Sequence, residues 1–142
     1  MGLDITLYEM VPIESFRAGS YSGFGEFRRL LALSVGIDLD NQAGFGGKQK
    51  EWTKEETYYE LLNHSDCEDD LAHWECEQLI DDFTPENREA FSKTLDGEAS
   101  SSTGDELVEA IQMAEYYLGK WDKWKEVIEK CAESEDCMIV FH

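Results

Sequence analysis

Leu3-Asp4-Ile5-Thr6-Leu7-Tyr8, close to the start of the chain, and Cys137-Met138-Ile139-Val140-Phe141-His142, at its end, are the stretches that decide the fold. In the first, apolar residues alternate with more polar ones, the period of two expected of a strand with one buried face. The second is a short, β-prone apolar run whose backbone donors and acceptors need partners. The simplest arrangement puts residues 3–9 and 137–141 into one sheet. Residues 13–18 are a candidate third strand, which Pro12 and Gly19 confine to a short edge piece.

Between these ends the signals are helical. Ser22 is placed to cap a helix carrying Phe24, Phe27, Leu30, Leu31 and Val35, with Gly36 as its stop. Residues 41–50 read as a glycine-rich loop. Thr53 and Glu56 form a capping box for a short helix bearing Tyr58, Tyr59, Leu61 and Leu62. Residues 68–83 read as a further helix with Leu71, Trp74, Leu79 and Phe83 as core positions. Thr84-Pro85 opens another through about Leu95, and residues 96–104 read as a surface loop. Thr103 and Glu106 form a second capping box. After it, Leu107, Ile111, Ala114, Tyr117, Leu118, Trp121, Trp124 and Ile128 keep helical spacing to about Cys131, with Gly119 marking the place where the helix would break or kink. The fold class is α+β: a small sheet formed by the N- and C-terminal strands, covered by several α-helices, in a single domain over residues 1–142.

The 142 residues are enough to bury a core without disulfides, so the four cysteines read as reduced thiols. Thirty-two acidic residues against twelve basic ones give a net charge of -20, which argues against direct DNA binding or attraction to an anionic membrane through the whole-protein field. No basic segment followed by an apolar run opens the chain, and no window has the length of a membrane span, so the expected location is the cytoplasm. No cofactor is expected.

Against that charge, Arg17-Ala18-Gly19-Ser20-Tyr21-Ser22-Gly23 stands out. An arginine, hydroxyls and glycines immediately precede a helix, whose first N–H groups have no partner within it and favour an anion. Gly19, Gly23 and Ser22 also suit a plain tight turn and cap, and Arg17 also suits an internal carboxylate. A second polar constellation, Asn63-His64-Ser65-Asp66-Cys67-Glu68, lies between two expected helices. Ser65 or Asp66 would cap the following helix. Taken together, Arg17, Gly19, Ser20, Tyr21 and Ser22 would face Ser65, Asp66 and Glu68 around one ligand pocket, with phosphate at the helix start and sugar or base donors at the carboxylates. No residue is assigned a catalytic or metal-binding role in this reading. Two alternatives use the same region: a small hydrolase built on His64, Asp66 and Cys67, and a zinc site of His64, Cys67, His73 and Cys76, which needs a bend at the helix start.

Met1-Gly2-Leu3-Asp4-Ile5-Thr6, Phe16-Arg17-Ala18-Gly19-Ser20-Tyr21-Ser22-Gly23, Ser65-Asp66-Cys67-Glu68 and Phe141-His142 together resemble a group of small uncharacterised proteins of phages and prophages, nearly end to end. The group's pattern continues with glycine where Asp69 stands here. The resemblance implies a phage setting, hence the host cytoplasm, and no particular reaction. In that setting a nucleotide-binding protein would sequester a nucleotide-derived immune signal of the host. The runner-up is an acidic nucleic-acid mimic that occupies the basic groove of a host defence protein. Assembly into a homo-oligomer is compatible with either.

Overall fold

Alternation in the first residues produces β1 (Gly2–Glu9), which doubles back into β2 (Val11–Ser20) as an antiparallel pair in which Ile5 lies opposite Phe16 and Leu3 opposite Gly19. The computed structural model describes residues 2–9, 11–36, 58, 61, 69–100 and 103–141. β2 runs beyond the expected 13–18 and carries Pro12 within it. A proline costs little there because β2 is the outermost strand of the order β2-β1-β4-β3. On the other side of β1 lies β4 (Met138–Phe141), antiparallel, with Ile5 opposite Phe141 and Leu7 opposite Ile139. Both chain ends therefore share a sheet, and Leu3, Ile5, Leu7, Ile139 and Phe141 are buried on one face of it.

The expected helix over 68–83 is corrected. Asp69–Ala72 forms a fourth strand, β3, antiparallel to β4 with Leu71 opposite Ile139. Without β3 the second edge of the four-residue β4 would lack a partner, and Leu71 completes the buried row beside Ile139; that tertiary pairing outweighs local helical periodicity. The helix is confined to α2 (His73–Ile80), whose Glu75 carboxylate accepts the Ala72 N–H at 3.0 Å. Trp74 falls in the exposed first turn of α2 rather than in the core.

α1 (Tyr21–Leu33) follows β2 with no intervening residue, so Ser22 lies within its first turn instead of at the cap. Phe24, Phe27, Leu30 and Leu31 are buried along it, and the chain turns off at Gly36, where φ is +81°. The 41–50 loop and the Thr53/Glu56 capping box lie outside the described residues, but Tyr58 and Leu61 are both in the core. α3 (Pro85–Ala99) starts as expected, with Thr84 Oγ1 accepting the Asn87 N–H at 3.1 Å. It runs four residues past Leu95, because Ala99 continues the buried face of Phe91 and Leu95.

α4 (Asp105–Ala132) passes through Gly119 without interruption. Its cap is Gly104, with φ +61° and no side-chain cap, so the Thr103/Glu106 box does not form. Trp124 ties this helix to the rest: its ring lies 5.7 Å from Phe24 of α1, 5.2 Å from Phe16 of β2 and 5.7 Å from Phe141 of β4. α1 and α4 pack on the sheet, while α2 and α3 pack on α4. No helix among the described residues is long and apolar enough to cross a membrane.

Candidate anion site at the junction of strand β2 and helix α1

Gly19 makes the junction. Its φ of +126° is a conformation that side-chain-bearing residues rarely adopt, and it swings the chain from the sheet edge into the start of α1 within two residues. The first backbone N–H groups of α1 have no acceptor inside the helix. No acidic residue occupies its first turn, so its positive end is not answered from within the helix.

Arg17 faces Asp4 across the β1–β2 pair. Its Nε donates to Asp4 Oδ1 at 2.6 Å and its Nη2 to Oδ2 at 3.3 Å. Both side chains are exposed, at 55% and 39%, and such a pair contributes only about 0.2–1 kcal/mol. Asp4 thus orients the guanidinium without binding it strongly.

A residue that sequence reasoning missed completes the cationic end. Lys120, in the middle of α4, donates from Nζ to the carbonyl oxygen of Arg17, 103 residues away, and sits 5.1 Å above the Tyr116 ring. Its pKa is lowered, first by burial and then by the positive charges of Arg17 and Lys123. Lys120 thus packs on the backbone of the strand that carries Arg17, in a chain with only twelve basic residues. Only the long helix brings Lys120 to β2, and a lone lysine on an exposed helical face carries no sequence signal of that.

Two further arginines close by in the sequence, Arg28 and Arg29, are engaged elsewhere. Arg28 is buried, with its guanidinium 4.6 Å from the centre of the Phe24 ring. Arg29 is forked onto Glu26 at 2.9 and 2.6 Å and lies 3.7 Å from Glu98 of α3. The side chains of Ser20, Tyr21 and Ser22, together with His64, Ser65, Asp66, Cys67 and Glu68, lie outside the described residues. The strand that follows them is described, however. Asp69 pairs with Phe141, which pairs with Ile5, so β3 starts at the end of the sheet where β2 finishes. Three strand spacings, about 14 Å, separate the two strands.

Of the residues considered for zinc, His73 has its Nδ1 2.9 Å from the Cys131 carbonyl oxygen and its Nε2 2.8 Å from Glu77, which links α2 to the end of α4. Cys76 is a buried free thiol, as are Cys131 and Cys137. Cys76 faces Cys131, which with burial pushes its thiol far up from the usual range. No group of three or more metal-ligating side chains is found among the described residues. Comparison with protein-family models, curated proteins and solved structures returns no match.

Proposed function

We propose that this chain binds a phosphorylated or nucleotide-derived small molecule at the end of the sheet where β2 enters α1, and that it sequesters this ligand without transforming it. One observation carries the reading: the Lys120 ammonium is held on the Arg17 carbonyl oxygen, beside a glycine-pivoted helix start, in a chain of net charge -20. A phosphate there would accept from the α1 N–H groups and draw Arg17 partly away from Asp4, exchanging an exposed ion pair for charge-assisted bonds of about 1.5–3 kcal/mol each. It would also relieve the repulsion between Arg17 and Lys120. Ser65, Asp66 and Glu68 precede a strand that starts at the same end of the sheet, which supports their meeting the sugar or base of the ligand. Tyr21 is the residue proposed to stack on it.

The resemblance to phage proteins supplies the setting, in which removing a nucleotide immune signal would protect an infecting phage. The overall charge favours a second reading, an acidic decoy for a host defence protein. Purifying the protein from cells, denaturing it and identifying what is released by mass spectrometry separates the two. An intact nucleotide or phosphorylated metabolite is expected. A co-purifying host protein with no small molecule would favour the decoy, and a cleaved ligand would favour a hydrolase using His64, Asp66 and Cys67.

A further inference from the structure

α4 is about 42 Å long, yet its buried residues begin only at Tyr117. Among the described residues, seven large apolar side chains are exposed, and four of them (Val108, Ile111, Met113 and Tyr116) fall within nine consecutive positions of this helix. They are spread around the helix, with Met113 and Ile111 on either side of the seam with α3. Met113 lines a cleft of about 260 Å³ with Leu30, Leu95, Ala99 and Tyr117, while Ile111 lines a second of about 190 Å³ with Leu95 and Leu118. A helix with apolar residues on most of its circumference is normally buried. Clefts of this size suit single apolar side chains better than a whole cofactor, whose sites run to about 300–1,000 Å³.

The net charge around these clefts is negative. Between Lys93 and Lys120 the chain has six acidic residues (Asp96, Glu98, Asp105, Glu106, Glu109 and Glu115) and no basic one. At the mouth of the larger cleft, Arg29 is matched by two carboxylates, Glu26 and Glu98. A second copy of the chain would bring its own six carboxylates against these, and an anionic membrane or nucleic acid would be repelled.

We infer that the N-terminal half of α4 and the adjoining end of α3 form a docking surface for a cationic amphipathic segment of a partner protein, its apolar residues seated in the two clefts and its lysines or arginines facing the acidic margin. This surface adjoins the proposed anion site only at Tyr116, over whose ring Lys120 lies, and its two clefts do not depend on that site. The probe is a fluorescent Leu/Lys amphipathic helical peptide of about five turns, followed by anisotropy on the full chain. It is expected to bind at about 0.15 M salt and to retain part of its affinity at about 1 M, where the screening length falls to about 3 Å. Ile111→Ser with Met113→Ser, both at half-exposed positions, should weaken binding by about tenfold or more. Glu129→Gln with Glu133→Gln, which removes charge at the far end of the same helix, should change it by less than about twofold. Equal binding by the Ile111/Met113 variant would overturn the inference, because attraction would then be charge alone. Sedimentation showing a dimer that this variant disperses would also overturn it, assigning the face to a second copy.

Discussion

The two halves of α4 share a sequence period and differ in what surrounds them. In the C-terminal half, Trp121 lies 5.1 Å from Phe83 and donates from Nε1 to Tyr58 Oη at 3.3 Å, while Trp124, Val127, Ile128 and Cys131 are also buried. In the N-terminal half, Ile111 keeps the helical spacing of a core residue and is 48% exposed. Periodicity identifies the face a helix offers; whether a neighbour covers that face depends on where α1, α3 and the sheet end.

The sharpest contrast is stability. Trp121→Ala should cost about 3–5 kcal/mol, the range for removing a large core aromatic, and Ile128→Ala about 2–5, read as a shift of the urea midpoint. A loss below about 1 kcal/mol for Trp121→Ala would mean that the two halves are equivalent.

A smaller effect belongs to the turn beside the buried half. The Asp82 carboxylate accepts the Tyr58 backbone N–H at 3.0 Å, yet its pKa is raised, chiefly by burial. The same burial pushes the Tyr58 hydroxyl up to about 12. A carboxylate with a raised folded pKa contributes most stability below its unfolded value and loses that contribution as pH rises through the folded one. Asp82→Asn keeps an acceptor and removes the charge. It should therefore raise the unfolding free energy at neutral pH relative to the parent, by well under about 1 kcal/mol since the group is only partly buried, with the gain vanishing in acid. A gain that persists in acid would assign it to something other than Asp82 ionisation.

Ile111→Ser and Met113→Ser should be nearly silent, within about 0.5 kcal/mol each for surface positions, while removing peptide binding. If they destabilise the fold as core substitutions do, the N-terminal half is part of the core and the contrast fails.

The pairing of residues 2–9 with 138–141 was legible because each run is β-prone and neither can satisfy its own backbone. The caps at Thr84 and Gly36 were legible because they are local chemistry. Asp69–Ala72 was not: two aspartates before an apolar residue read as a helix start, and only the free edge of β4 makes them a strand. For the same reason Trp74 was misplaced, since its assignment depended on the longer helix. Of the proposed anion site, Arg17 and Gly19 could be found from one contiguous motif, whereas Lys120 could not, because its relevance arises from a contact across 103 residues. The exposure of Ile111 was equally hidden, since spacing says nothing of what lies opposite.

The central claim is that the β2–α1 junction holds an anion, and an amide-resolved NMR titration with inorganic phosphate and then AMP tests it most directly. The account predicts saturable shifts concentrated at residues 19–23 and at the Lys120 Nζ, weakening as pH rises through the lowered Lys120 range because the cation is lost. Arg17→Ala and Lys120→Ala should each abolish these shifts while the parent spectrum is kept elsewhere. No saturable shift at residues 19–23, or shifts unchanged in both variants, would contradict it.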